Sequence, residues 1–430
     1  MVISISELYS IFIKHPVVST DTRTLPEGCI FFALKGENFN ANAFAVEALK
    51  RGAAYAVVDE IHETDERLLL VSDVLTALQD LATHHRKQLT IPVIGITGSN
   101  GKTTTKELIA SVLKEKFNTY YTQGNFNNHI GVPLTILAIN KSHEIAVVEM
   151  GANHQKEIEF LCKITQPNFG LITNIGKAHL EGFGGIEGVK KGKGELYDFL
   201  IANNALIFIQ QGEPLLTDAL KGYMHTVSYG TSNNADCCGT AETGKEYLEV
   251  KIQKPFSTVI QTQLTGAYNL SNVLSAVSIG VYFGLSAEEI KKGIENYVPG
   301  NQRSQVIVKD KLHIIIDAYN ANPSSMTEAL TNLKNSFTGE KIIALGEMLE
   351  LGEYATDEHD KIAELVNTIN AKEVILVGAN FQMQAAKYNY HYFSDSSAAA
   401  IWLKDHLPIT GTLLIKGSRG SKMEKLLDSF

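Results

Sequence analysis

The sequence predicts an α/β protein of three domains. Three observations predict it. The chain has 430 residues, more than one hydrophobic core normally serves. From about residue 304 onward, short apolar runs alternate with helical stretches, the pattern of a parallel sheet covered on both faces. At 92–116 an apolar run, a glycine-rich loop and a helical stretch follow one another without a gap. The expected boundaries are 1–88, 89–303 and 304–430.

The first domain holds two strand-length runs, CIFFALKG (29–36) and AAYAVVDE (53–60). Between them AFAVEALKRGA reads as a short helix stopped by Gly52. Ahead of these, Asp21-Thr22-Arg23 sits in a polar segment before Pro26 and Gly28. Two readings stand: a turn closed by an ion pair, or an anion or sugar contact through Thr22 and Arg23. The central domain begins with the strand PVIGI and the helix TTTKELIASVLKEK. The strands EIAVVEM (144–150) and NFGLITNI (168–175) and the helix YNLSNVLSAVSIGVYFG (268–284) follow. Between about 231 and 263 the pattern turns ragged, and YLEVKI and FSTVIQTQL suggest antiparallel strands added to a parallel sheet. The last domain reads HIIID, helix from Ser325; KIIALG, helix from Asp357; EVILVG, helix; YHYFS, helix; TLLIKG, helix. Ligands of such sheets lie beyond the carboxyl ends of the strands, where Asp317, Gly346, Gly378 and Lys416 fall.

ITGSNGKTTTK (96–106) is the most informative stretch. Gly98, Asn100 and Gly101 allow backbone N–H groups to close round an anion, and the helix that opens at Lys102 adds orphan donors and a favourable dipole. Lys102 would reach the outer phosphates of a nucleotide, the Thr103 hydroxyl would face Mg²⁺, and Thr104 is a further phosphate contact or a plain helix-start residue. The full pattern asks for glycine where Ile96 stands, so the loop is a shortened variant. The central domain therefore reads as a P-loop ATPase domain. Glu149, at the end of its strand, suits Mg²⁺ or a structural pairing with lysine. His179 follows its strand through GKA, so it reads as a metal or phosphate contact, or as a structural histidine; His154 is a further candidate.

GIEGVKKGKGELYDFL (185–200) carries an apolar ladder of Ile186, Val189, Leu196 and Leu200. Lys193 occupies the missing rung, which places it on the face that should be buried. A buried lysine is costly unless it is paired or chemically altered. Either its stem snorkels to solvent or it works near the metal.

TGSNGKTTTK, EMGANHQKEIE, TNIGKAHLEGFGG, GKGEL, GAYNLSNVLSA, DAYNANPSSM, LGEMLELG and IKGSRG occur in one order along the chain. This series resembles the Mur ligases of peptidoglycan synthesis over essentially the whole length. DAYNANPSSM and LGEMLELG favour the branch that adds D-alanyl-D-alanine to UDP-N-acetylmuramoyl-tripeptide over siblings that add one amino acid. The resemblance implies a UDP-sugar domain, an ATP domain, and a Rossmann-like ligase domain that closes over both. It implies ATP, two Mg²⁺ ions and an acyl-phosphate route. By this likeness Thr22, Arg23, Lys35 and Gly36 contact the UDP part, and Asn269, Arg303 and Asp317 meet the nucleotide. Lys193 resembles the lysine that carries a CO₂-derived carbamate and helps hold metal with Thr103, Glu149 and His179. The dipeptide would be received by NANPSS (320–325), with Asn320, Asn322 and Ser325, and by GEMLELGEYA (346–355). Three departures stand out: Asn42 and Tyr268 replace histidines usual in the family, and DTR replaces DSR.

Composition sets the remaining limits. A net charge of -9 without a basic tract argues against nonspecific nucleic-acid binding. Cys29, Cys162, Cys237 and Cys238 lack metal-type spacing, which fits a reducing cytosol; the chain is expected to be a cytoplasmic enzyme and a monomer. MVISISELYS lacks a basic n-region, and no apolar run is long enough for membrane insertion. The readings that compete with a Mur-type ligase are a folylpolyglutamate-type ligase, a P-loop switch protein and a nonenzymatic nucleotide-binding scaffold.

Overall fold

The computed structural model describes residues 2–242, 244–300, 302–406 and 410–430. Three main sheets follow one another along the chain. The first has four parallel strands in the order Val18–Ser19, Ile30–Phe32, Tyr55–Val58 and Leu68–Leu70. Ile30, Phe31 and Phe32 are all buried, as expected of a strand covered on both faces. Helix Ala45–Lys50 ends before Gly52, whose φ of 110° suits glycine. Helix Val74–Gln88 is capped by Asp73 and joins this body to the next. Its Arg86 is buried and donates to the carbonyls of Thr165 and Gln166, and its His85 ring meets Ile139 O at 2.7 Å.

The second sheet has nine strands. From one edge they run Thr258–Gln261, Glu249–Lys254, Cys237–Glu242, Thr226–Gly230, Leu206–Gln210, Phe169–Ile172, Val93–Thr97, Ile145–Glu149 and Thr119–Tyr121. Glu249–Lys254 runs antiparallel to both of its neighbours and the remaining pairings are parallel, so the ragged segment forms the expected addition. The phosphate-loop strand Val93–Thr97 lies between the strands ending at Ile172 and Glu149. Three carboxyl ends thus converge on one spot, where the direction of winding reverses.

The third sheet orders Gln305–Lys309, Lys311–Asp317, Thr410–Lys416, Lys341–Gly346, Glu373–Val377 and His391–Phe393. Five strands are parallel. Gln305–Lys309 is an antiparallel edge strand that the alternation did not predict. A tight turn makes it possible, since Lys309 pairs with Leu312 and Asp310 takes φ 55°. The helix expected after TLLIKG is also corrected. Two 3₁₀ segments stand there, Arg419–Ser421 and Met423–Ser429, separated by Lys422 in the left-handed region. Met423 and Leu426 still bury their side chains in the core of this body. No helix of the described residues is long and apolar enough to cross a membrane.

Candidate active site

A cavity of about 1030 Å³ opens where the carboxyl ends of the second and third sheets face each other. Its floor is the phosphate loop. Gly98 has φ 146°, and a Cβ there would lie 2.0 Å from the Thr173 hydroxyl. Gly101 has φ 75° and caps helix Lys102–Leu113 in the left-handed region. Neighbouring strands hold the loop's shape: Thr173 Oγ1 donates to Asn100 O at 2.6 Å, and Asn100 N donates to Asn174 Oδ1 at 2.9 Å. Thr104 lines the same cavity.

Lys102 Nζ donates to Gly98 O at 2.7 Å and to Ser99 O at 3.1 Å, so its ammonium curls over the loop. Burial pulls its pKa down to about 8, with Glu149 opposing and Arg303 adding to the fall. The helix places Thr103 opposite Glu149, and Thr103 Oγ1 donates to Glu149 Oε2 at 2.9 Å. Glu149 is buried, and its second oxygen accepts from Asn127 Nδ2 at 2.7 Å. Lys106 Nζ lies 3.7 Å from it. This hydroxyl and carboxylate are hard oxygen donors that suit Mg²⁺, which takes few protein ligands and completes its shell with phosphate and water. Among the described residues no three His, Cys, Asp or Glu side chains cluster as a ready-made metal cage.

Lys193 is fully buried on helix Ile186–Ala202, with Val189, Leu196 and Leu200 on the same stripe. Ile186 departs from the expected ladder: at the helix start it is 37% exposed. The stem does not snorkel. Lys193 Nζ donates to Ala152 O at 2.9 Å and sits 5.0 Å from the Phe183 ring. Ala152 lines the cavity, so the amine stands directly behind its wall. Burial, then Lys102, holds this amine well below the ordinary lysine range, against the pull of Glu157 and Glu195. Glu195 is already occupied, accepting from the backbone N–H groups of Lys156 and Glu159.

The third sheet supplies the facing wall. Asn322 caps helix Pro323–Ser336: its Oδ1 accepts from Ser325 N at 3.0 Å, and its Nδ2 donates to Asn100 Oδ1 at 2.7 Å. Lys177 N donates to Ser324 Oγ at 3.1 Å, and Lys177 Nζ pairs with Glu358 at 2.7 Å. His179, at φ 53°, pairs with Glu350 of LGEMLELG across the same junction. Arg303 stacks on Tyr319 at 3.6 Å from the ring centroid. Asp317 receives Lys416 Nζ at 2.5 Å and Ser304 N at 3.3 Å, while the Asn320 carbonyl lies 3.4 Å from the same ammonium. Asn269 is buried and holds Asn272, which in turn accepts from Thr105 at 3.0 Å.

The cavity gathers Asn100, Gly101, Lys102, Thr103 and Thr104 with Glu149 and His179. It also gathers Asn269, Arg303, Asp317, Asn320, Asn322 and Ser325. Thr22, Arg23, Lys35 and Gly36 are not on its lining. Arg23 pairs with Asp21 at 2.7 Å, and Lys35 with Asp59 at 2.9 Å and Glu60 at 2.7 Å. Asn42 is buried and braces the same corner through Asn40 and Asp59. His154 is exposed beside Glu157. Sequence reasoning missed Asn127, Lys177 and Glu350, whose partners lie 22, 181 and 171 residues away.

The model of the Mur ligase middle domain matches residues 96–280, and that of the Mur ligase glutamate ligase domain matches residues 302–419. A UDP-N-acetylmuramoyl-tripeptide–D-alanyl-D-alanine ligase of Bacillus subtilis (strain 168) is 36% identical, over 95% of this chain and 92% of its own length. The chain belongs to the Mur ligase family. Solved Mur ligases share its architecture. MurF from Acinetobacter baumannii superposes with a TM-score of 0.86 at 32% identity, covering 96% of this chain and 92% of that one. MurF from Thermotoga maritima in complex with ADP superposes with a TM-score of 0.84 at 26% identity, covering 96% of each chain.

Proposed function

We infer that this Mur ligase joins D-alanyl-D-alanine to UDP-N-acetylmuramoyl-tripeptide at the expense of ATP, releasing ADP and phosphate. The observation that carries the reading is the cavity itself, where a phosphate loop faces the strand-end loops of the third sheet across hydrogen-bond distance. A carboxylate is a poor electrophile in water. Transfer of the γ-phosphoryl group makes it an acyl phosphate, which the dipeptide amine attacks with loss of phosphate. Lys102 balances charge on the outer phosphates, and the loop N–H groups hold the rest. Arg303, Asp317 and Asn269 orient the nucleoside. Asn320, Asn322 and Ser325, with the loop 346–355, receive the dipeptide. The facing walls exclude water, which protects the acyl phosphate from hydrolysis.

Thr103 and Glu149 would hold one Mg²⁺, and His179 with an altered Lys193 a second. When bound, the metal neutralises charge on the transferring phosphoryl group. Lys193 supports this reading because its buried amine is held toward the neutral form, which is the form that attacks CO₂. The attack forms an N–C bond and releases a proton, leaving two oxygen acceptors on a long stem. Thr22, Arg23, Lys35 and Gly36 would meet the UDP part, exchanging their present ion pairs for phosphate. A cytoplasmic monomer without nucleic-acid partners fits the net charge and the four free buried cysteines.

The direct test uses the purified chain with both substrates, ATP and Mg²⁺. One ADP and one phosphate should appear per peptide bond, only when tripeptide donor and dipeptide acceptor are both present. ATP hydrolysis that ignores the acceptor, or equal use of free D-alanine, would overturn the reading.

A further inference from the structure

Glu328 stands on the helix that Asn322 caps, one turn and a half beyond the cap, and it lines the main cavity beside Asp317 and Lys416. It also lines a second cavity, of about 280 Å³, between that helix and the antiparallel edge of the central sheet. Glu328, Ala267 and Tyr268 line both spaces and so form the partition between them. Tyr268 is fixed there, its hydroxyl 2.9 Å from Ser304 Oγ. The Glu328 side chain has no hydrogen bond or ion pair among the described residues, and what acts on it is burial and the charges of Lys416 and Asp317.

Three charged groups therefore share one recess. Lys416 is buried and committed to Asp317. Asp317 uses one oxygen on Lys416 and the other on Ser304 N. A carboxylate oxygen has more than one lone pair, so Asp317 has capacity left, yet both its oxygens are already held in place. A ribose presents two adjacent hydroxyl donors, and Glu328 is the unengaged acceptor next to Asp317.

We propose that Glu328 is a second sugar-positioning carboxylate, which together with Asp317 accepts the paired ribose hydroxyls of the nucleotide. The inference rests on the nucleotide reading of this cavity. It has a consequence for pH. Burial is the largest cause and raises the Glu328 pKa to about 7; Lys416 opposes it, and Asp317 adds a smaller rise. The other groups facing it are Tyr268 and Arg303 in the main cavity, with Glu242 and Lys245 across the smaller one. Glu242 is paired with Lys251 and Lys245 with Glu249, which leaves Glu328 as the carboxylate here that changes charge near neutrality. Its ionised form is the stronger acceptor.

The test is calorimetric binding of ADP, 2′-deoxy-ADP and 3′-deoxy-ADP to the full chain and to Glu328→Gln, at pH 6 and pH 8. Comparing the two proteins at one pH cancels the titration of the phosphates and of Lys102. At pH 6 the two should bind ADP alike, because a protonated carboxyl and an amide are near equivalents. At pH 8 the wild type should bind about 5- to 10-fold more tightly, the difference between a hydrogen bond to a charged acceptor and one to a neutral amide. The loss caused by removing a ribose hydroxyl should then be smaller in the variant. A wild-type-to-variant ratio that is flat with pH, or an unchanged deoxy penalty, overturns the proposal. Tighter binding by the variant at pH 8 also overturns it, since repulsion of the nucleotide would then outweigh acceptance. Absence of ADP binding by the wild type would overturn the nucleotide site itself, and this inference with it. A cooperative melt of Glu328→Gln with a midpoint at or above that of wild type at pH 6 establishes that the variant is folded.

Discussion

At the scale of single residues, two lysines carry distinct predictions. Lys102→Ala removes the charge proposed to meet the outer phosphates but leaves the glycine cradle and its Thr173 and Asn174 supports. Turnover should fall about 100- to 1,000-fold, with thermal stability little changed. Near-normal ligation by the variant would refute its role. Lys193 is the reverse of an ordinary core residue. Met at this position fills similar volume without a buried amine, so stability should hold or rise, less about 1 kcal/mol for the unpaired Ala152 carbonyl. Activity should nevertheless vanish. Arg should fail as well, because it stays charged and cannot form a carbamate. A functional Lys193→Met enzyme, measured by product formation, would reduce this lysine to packing. Glu328 gives a stability prediction of its own. Its folded pKa of about 7 lies above the 4.5 of an ordinary glutamate, so the folded state binds the proton more strongly. The group costs nothing below about pH 4.5, destabilises increasingly from there up to about pH 7, and its cost is constant above that. Relative to wild type, Glu328→Gln should therefore gain stability between pH 5 and pH 8, on the order of 2 kcal/mol. A pH-independent difference in denaturant midpoints would contradict this.

At the scale of elements, helix Pro323–Ser336 has two duties at its N-cap. Asn322 caps the helix with its oxygen and reaches the phosphate loop with its amide nitrogen. The two separate by substitution. Ser is also a good cap, so Asn322→Ser should keep stability within about 0.5 kcal/mol while losing the bridge to Asn100. Ala should lose both, costing about 1 kcal/mol of stability. If the bridge sets the spacing of the walls, both variants should raise KM for ATP or for the dipeptide, and only Ala should lower the melting temperature. Unchanged KM in both would show that the contact is incidental. The same logic explains Gly98. No side chain fits against Thr173, so the strand must pass into the loop without a Cβ at that point.

At the scale of the whole molecule, the walls of the cavity belong to different sheets. Asn100 meets Asn322, Lys177 meets Ser324 and Glu358, and His179 meets Glu350. A nucleotide touching both Lys102 and Asp317 bridges the two bodies and favours the arrangement in which they meet. Small-angle scattering with a nonhydrolysable ATP analogue and donor should show a more compact particle than the chain alone. An unchanged radius at saturating ligand would remove closure from the mechanism. Lys177 and Glu358 are partly buried, so raised salt should loosen this junction only modestly.

Much of the molecule was legible along the chain. Strand–helix alternation reports hydrophobic period, which is local, and it located most strands of the second and third sheets. The phosphate loop was legible because its function is carried by adjacent backbone groups and one helix start. The burial of Lys193 was legible because helical spacing alone assigns it to the apolar face. What needed tertiary structure depends on contacts between distant segments. No local pattern shows that Asn127 holds Glu149, that Glu350 holds His179, or that Arg303 stacks on Tyr319. The edge strand Gln305–Lys309 forms because a turn at Asp310 folds it back on a strand that was already visible. The end of the chain winds into 3₁₀ segments because Lys422 breaks the helical path, even though its apolar spacing still buries Met423 and Leu426. Glu328 is the clearest case. On its own helix it is one more polar residue. Only the packing of that helix on its own sheet places it beside Asp317 and Lys416, and only the approach of the central body brings Tyr268 against it, where lost hydration and a neighbouring charge change what its carboxylate can do.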